Sequence, residues 1–203
     1  MLSRREIIIA GAAGVLASSE LCAAPKATST GAIGPTLLKR ALRSYQQHRH
    51  RLSGHDYIGI ADYSAPSRRP RFHVLDLTSG RSRALLVAHG RGSDPQHSGW
   101  VETFSNVPGS AASSQGAFLT HDIYEGRHGR SRRLVGLDPQ NNNAESRAIV
   151  IHAAWYVSPT MVRDHGKLGR SEGCFAFADA DLSIVLDRLG PGRLIYADKI
   201  RTG

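Results

Sequence analysis

The chain has 203 residues, 40% hydrophobic and 21% charged, a size and balance that fit one globular domain with at most a short appendage and exclude a multidomain assembly. Its 26 Lys and Arg outnumber 17 Asp and Glu, for a formal charge of +9, which draws the protein to polyanions: nucleic acid, anionic lipid or an acidic polymer. With only Cys22 and Cys174, it is neither a disulfide-dense scaffold nor a zinc finger.

Residues 1–27 have the layout of an export signal: Arg4 and Arg5, an apolar run from Ile7 to Ala17, then small residues. Ser3-Arg4-Arg5 ahead of a Gly-bearing apolar stretch resembles the twin-arginine type, which exports folded proteins. The run is too short to span a bilayer, which takes roughly 20 residues. Cleavage near Ala23 to Ala27 is expected to remove Cys22, leaving Cys174 as the single thiol in the periplasm or cell envelope. Export excludes a nucleic-acid partner and turns the basic surface toward an anionic wall or membrane surface. No obligate protein partner is evident, and no cofactor motif is present.

Residues 28–54 read as a Ser/Thr/Gly-rich lead and one amphipathic helix over 35–52, with Pro35 in its first turn and Leu37, Leu38, Ala41, Leu42 and Tyr45 at helical spacing. Residues 55–203 form the main domain. Strands are expected at 57–63, 71–77, 83–89, 134–137, 148–157 and 193–197, with loops and short strands over 90–116. A helix is expected at 179–189, capped by Asp179 or Asp181 and stopped by Gly190-Pro191-Gly192. Short strands at roughly regular spacing favour a barrel or sandwich over a doubly wound parallel sheet. His48 and His50 are two apart on a helix flanked by arginines, which argues for a solvated face and against a metal site.

The chemistry concentrates between His152 and Ala176. A cysteine is only a few per cent thiolate at pH 7, so a nucleophilic thiol needs a base or cation beside it. His152, inside an apolar strand, has the fixed direction a base requires. Gly173 allows close backbone approach, and the amides of Gly173 and Cys174 are candidate oxyanion donors. By spacing alone, a buried inert thiol and a satisfied core histidine fit equally well. Arg170, Ser171 and Glu172 before Cys174 make an unusually polar approach for an inert buried thiol. Trp155 and Tyr156 are expected on opposite faces of their strand, one in the core and one bordering the pocket. His89, His121 and His128, near turn signals, are candidates to line the cleft.

Gly169-Arg170-Ser171-Glu172-Gly173-Cys174-Phe175-Ala176, preceded by the strand from Arg147 to Val157, resembles the murein L,D-transpeptidase catalytic-domain family. The resemblance extends upstream through Asp62-Tyr63-Ser64, the stretch from Val87 to Ser93, Phe104-Ser105-Asn106, the stretch from Tyr124 to Gly129 and Gly136-Leu137-Asp138, and covers roughly residues 55–198. It implies a mainly β fold, an L,D-transpeptidase-like β-sandwich with peripheral helices. It also implies a wall enzyme whose cysteine is acylated by a peptidoglycan stem peptide and passes the acyl group to an amine of a neighbouring stem. On this resemblance Cys174 matches the nucleophile, His152 the general base and Ser171 the Ser or Thr three positions before the cysteine. The amides of Gly173 and Cys174 match the oxyanion site. Glu172 stands where the best-known branch has a second histidine, Phe175 replaces an aliphatic residue, and the gap between His152 and Ser171 is slightly long, which points to a sister branch. Arg170 reads either as a clamp for a substrate carboxylate or as a solvated charge. The competing functions are an L,D-carboxypeptidase or endopeptidase using water, a sortase-like transpeptidase with Arg188 or Arg193 near its site, and a non-catalytic basic wall-binding module.

Overall fold

The computed structural model describes residues 33–200; the expected export signal at 1–27, Cys22 and residues 28–32 of the lead lie outside them. Helix α1 (Pro35–His48) starts on a proline that needs no amide partner there, and a 3-10 turn over Arg49–Arg51 continues it. Its buried stripe is Leu37, Ala41, Ser44, Tyr45 and His48, three or four residues apart.

Eight strands follow: β1 (Tyr57–Asp62), β2 (Phe72–Asp76), β3 (Ser82–Leu85), β4 (Gly116–Gly126), β5 (Gly129–Gly136), β6 (Val150–Ala153), β7 (Phe175–Phe177) and β8 (Leu194–Asp198). Helices α2 (Pro159–His165) and α3 (Asp179–Arg188) flank β7 in sequence. The strands form one mixed sheet in the order β3-β2-β1-β8-β4-β5-β6-β7, with β1–β8 and β6–β7 parallel. The expected mainly β fold with helices at its periphery is therefore the one adopted.

The sheet curls so that its far ends face each other. Phe72 on β2 meets Phe177 on β7 edge to face at 4.8 Å between centroids, and Phe175 meets Phe118 on β4 at 5.3 Å. Such contacts contribute about 0.5–1.5 kcal/mol each beyond area burial. The chain leaving β3 completes the curl, because the Ala88 amide donates a hydrogen bond of 3.0 Å to the Ala176 carbonyl of β7. The main core lies inside this curl and takes in Leu182, Val185 and Leu186 of α3. A second core lies under α1, where Leu37, Ala41 and Tyr45 cover Ile58, Ile60 and Leu194. Strands β1 and β8 bury both faces, with Ile195 and Ala197 inside the curl and Leu194 under α1, so they read as continuous apolar runs.

Several local features depart from the sequence expectations, and one is His48, expected on a solvated face, which is buried with its Nε2 2.9 Å from Asp138 Oδ1. The long β4–β5 hairpin, with Arg127 and His128 between the paired Gly126 and Gly129, was expected only at 134–137, because its outer half is polar and shows no apolar alternation. Strand β6 occupies only 150–153 of the expected 148–157. Helix α2, capped by the Ser158 hydroxyl accepting from the Met161 amide, was not expected. The N-cap of α3 is Ala178, so Asp179 and Asp181 act through their charge in the first turn and not as side-chain caps.

Candidate active site

Parallel pairing sets Ile151 against Phe175 and His152 against Ala176. Ile151 and Phe175 turn into the main core, so the two-residue period of a strand puts His152 and Cys174 on the opposite face. There they line one cleft of about 490 Å³ together with Tyr124, Arg127, His128, Arg147, Ala148, Val150, Tyr156, Arg170, Ser171 and Glu172. A larger groove of about 980 Å³, bordered by Arg40, Trp100 and Lys199, includes neither Cys174 nor any histidine. The chemistry belongs to the smaller cleft.

The turn that presents Cys174 is tightly specified. Ser171 is buried, and its hydroxyl donates to the Cys174 carbonyl at 2.8 Å while accepting the Gly173 amide at 3.1 Å. Gly173 has φ +115°, and a Cβ there would lie 2.6 Å from the Ala112 carbonyl oxygen. Gly173→Ala therefore meets both backbone strain, of about 1–3 kcal/mol, and a rigid neighbour. Urea denaturation should show that loss of stability, and thiol-directed acylation should slow at least tenfold. The thiol donates to the carbonyl of Ala148 at 3.5 Å, and Ala148 itself holds φ +53°, outside the usual range for a residue with a side chain. Burial raises the Cys174 pKa, with the Val150 amide opposing it and Glu172 adding to it. Cys174 is therefore a neutral thiol at pH 7.

His152 is almost fully buried, and its Nδ1 lies 2.8 Å from the Ala153 carbonyl. A carbonyl only accepts, so Nδ1 carries the proton and Nε2 presents a lone pair. The ring stacks on His128 at 4.2 Å and 22°. Burial lowers the His152 pKa, and the charges of His128 and Arg127 lower it further against the opposing Ala153 bond. His152 is therefore a neutral, oriented imidazole at pH 7.

Several expected site residues are placed differently. His89 does not line the cleft: it is fully buried, with Nδ1 2.6 Å from Arg71 Nη2 and Nε2 3.2 Å from Asp94 Oδ2. Trp155 and Tyr156 are not on strand faces, because β6 ends at Ala153 and both sit in the following turn. Tyr156 borders the cleft, its hydroxyl pKa pushed up to about 12 by burial and by Cys174 and Glu172, whereas Trp155 is 82% exposed and outside it. The Gly173 amide is engaged by Ser171, which leaves the Cys174 amide of the expected oxyanion pair. Arg170 reaches the cleft, but one guanidinium nitrogen donates to the carbonyls of Asp94 and Pro95. Of the other two histidines, His128 lines the cleft and His121 is exposed beside Asp122.

Arg147 was not singled out by sequence. It donates to the Ser105 and Ala112 carbonyls and the Ser114 and Ser110 hydroxyls, fastening the 105–114 loop beside the cleft. Nothing in a lone arginine before an apolar strand signals that role. Among the described residues no group of three or more His, Cys, Asp or Glu is placed to hold a metal ion.

The buried pair has a consequence for acid stability. Burial, then the Arg71 charge, lowers the His89 pKa to about 3. An unfolded histidine titrates near 6.5, so between pH 6.5 and 3 the unfolded chain binds a proton that the folded one refuses. Stability should fall with pH through that window, by on the order of 4 kcal/mol in all. Urea midpoints measured from pH 7 to pH 4 should show the decline, and a flat profile would contradict it.

Solved structures similar to the chain include an L,D-transpeptidase from Mycobacterium smegmatis, 14% identical with a TM-score of 0.44, covering 71% of this chain and 59% of that one. Another comes from Xylanimonas cellulosilytica, 13% identical with a TM-score of 0.43, covering 72% and 62%. A third is L,D-transpeptidase 3 from Mycobacterium tuberculosis in complex with a faropenem-derived adduct, 12% identical with a TM-score of 0.45, covering 70% and 60%. The chain thus spans about 60% of the length of these solved chains. No curated protein matches it. The family model for the L,D-transpeptidase catalytic domain matches residues 29–197, most of the chain and all of the strands that build the Cys174 cleft, and the protein belongs to that family.

Proposed function

We propose that the protein is an exported murein L,D-transpeptidase, a cysteine acyltransferase working on peptidoglycan stem peptides in the periplasm or cell envelope. The observation that carries this reading is the convergence of the Cys174 thiol and the His152 ring in one cleft, with His152 held in the tautomer that accepts a proton.

The first half-reaction follows from these groups. His152 Nε2 takes the thiol proton as Sγ attacks the carbonyl of the third stem residue, and the Cys174 amide donates to the resulting oxyanion. Collapse breaks the amide bond, and the imidazolium returns the proton to the departing D-amino acid amine, leaving a thioester. An amine of a neighbouring stem then attacks the thioester, loses a proton to His152 and regenerates the thiol. In the resting cleft no hydrogen bond joins Sγ to His152, so substrate entry is where the two groups close up, as is common for catalytic pairs.

The alternatives are separable. Water in place of the amine gives a carboxypeptidase or endopeptidase from the same thioester. The arginines named for a sortase-like arrangement are not at the thiol, since Arg188 lies over the Tyr57 ring and Arg193 pairs with Asp56; Arg127, Arg147 and Arg170 do line the cleft, so the acceptor and donor peptides decide between the two transferases. The protein is to be incubated with a stem tetrapeptide and an acceptor amine and the products read by mass spectrometry. Loss of the terminal residue with a new amide to the acceptor supports the transferase, loss without it a hydrolase. An untouched peptide together with retained binding to sacculi supports the wall-binding module.

A further inference from the structure

Behind the cysteine-bearing turn lies a buried polar chain that the proposed reaction does not use. Arg71, immediately before β2, is fully buried and donates to the carbonyls of Val87 and Ala65 and to His89 Nδ1. Arginine has no acceptor, so Nδ1 is unprotonated and Nε2 carries the hydrogen that His89 gives to Asp94. Asp94 is also fully buried and accepts from the Ser98 amide at 2.6 Å, the Ser98 hydroxyl at 2.9 Å and the Gly99 amide at 2.8 Å. Every donor and acceptor in this chain has one direction, so a proton gained, lost or moved anywhere in it leaves two like groups facing each other.

The backbone carrying these side chains also holds the catalytic turn. The His89 carbonyl accepts the Ser171 amide at 2.9 Å, and the Arg91 amide donates to the Ser171 carbonyl at 2.8 Å. The Asp94 carbonyl accepts the Arg170 guanidinium. Ser171 in turn fixes the Gly173 amide and the Cys174 carbonyl. Residues 89–94 therefore touch the turn at 170 and 171, and Ser171 holds the groups on either side of the Gly173–Cys174 peptide, whose amide is the proposed oxyanion donor.

We infer that Arg71, His89 and Asp94 act as positioning residues, a buried hydrogen-bond chain that holds the 170–174 turn in the geometry needed for acyl transfer. None of the three touches the cleft. The inference rests on the transferase reading for its catalytic consequence, and on geometry alone for its effect on the turn.

The test uses the full protein and two variants. Asp94→Asn swaps an oxygen that receives two donors for an amide that is itself a donor. Ser98→Ala removes one hydrogen bond to Asp94 from a residue outside the cleft, and it keeps the test open should the first variant not fold. Hydrogen exchange of the peptide spanning 170–174 is measured beside exchange in β1 and β8. Acylation of Cys174 by a carbapenem is measured beside alkylation by iodoacetamide, which needs the thiolate but no oxyanion donor. For folded Asp94→Asn the expected result is faster exchange confined to the turn and acylation slowed about 100-fold, the scale of losing an oxyanion donor. Alkylation should stay within about twofold of wild type. Ser98→Ala should move the same readouts in the same direction by about three- to tenfold, as for loss of one hydrogen bond to a charged group. Unchanged turn exchange in Ser98→Ala, or acylation and alkylation falling together, would overturn the inference. Wild-type protein that takes no carbapenem contradicts the transferase reading instead, and the exchange measurement still decides the inference.

Discussion

Exchange of Cys174 for alanine is expected to abolish covalent capture of a carbapenem while leaving the fold intact. Cys174 is the one cysteine among the described residues, and its thiol makes a single weak bond to the Ala148 carbonyl. Losing it should change stability by no more than about 1 kcal/mol. The backbone that shapes the turn does not depend on sulfur, because Ser171 and Gly173 set it through oxygen and nitrogen. Circular dichroism and the urea midpoint should therefore match wild type, while intact mass shows one adduct on wild type and none on the variant. An adduct on Cys174→Ala would place the nucleophile elsewhere.

Exchange of His152 for glutamine is expected to slow acylation by about 10²- to 10⁴-fold, the usual contribution of a positioned general base. Glutamine keeps a neutral polar side chain of similar reach toward the Nε2 position but no titratable nitrogen, so the substitution removes the base. The pH dependence carries a further sign. Burial lowers the His152 pKa, so the rate should fall only as pH drops through a value below the ordinary 6.5. Burial raises the Cys174 pKa, so simple alkylation should climb with pH to beyond the ordinary thiol range. In His152→Gln the limb below pH 6.5 should be lost, and the residual acylation should climb with pH in step with alkylation, because both then depend on the thiolate. A limb below pH 6.5 that persists in the variant would assign the base to another group.

The two residues proposed to react were legible in the sequence because each stands in a local pattern: His152 within an apolar strand, and Cys174 after Ser171 and Gly173. Their meeting was not legible from spacing alone, since 22 positions separate them and the parallel pairing of β6 with β7 closes that distance. All of β4 and the outer half of β5 were missed: Arg127, His128 and Arg130 at the hairpin end leave no apolar alternation, and the run from Gly116 to Thr120, buried on nearly every residue, shows no period of two. Trp155 and Tyr156 were misplaced by extending a period of two past Ala153, where the chain turns to reach α2.

His89 was misread for a different reason. A histidine in a Gly- and Ser-rich stretch looks like a surface or cleft residue, and its burial is offset by hydrogen bonds to Arg71, immediately before β2, and to Asp94, five positions on. Arg71 likewise reads as a charged residue at a strand end, yet it is buried over the Tyr63 ring with its donors satisfied by Val87, Ala65 and His89. Burial lowers its pKa to about 10, which still leaves it charged at neutral pH. Interior hydrogen-bond networks of this kind combine residues from distant segments, which sequence periodicity does not reveal.

The most direct measurement is peptide mapping of the wild-type protein quenched during reaction with a stem tetrapeptide. The account predicts a tripeptide acyl group on the peptide containing Cys174, formed with release of the terminal residue and lost on adding an acceptor amine. Release of the terminal residue with an acyl group on any other side chain, or with no covalent intermediate and undiminished in Cys174→Ala, would contradict it.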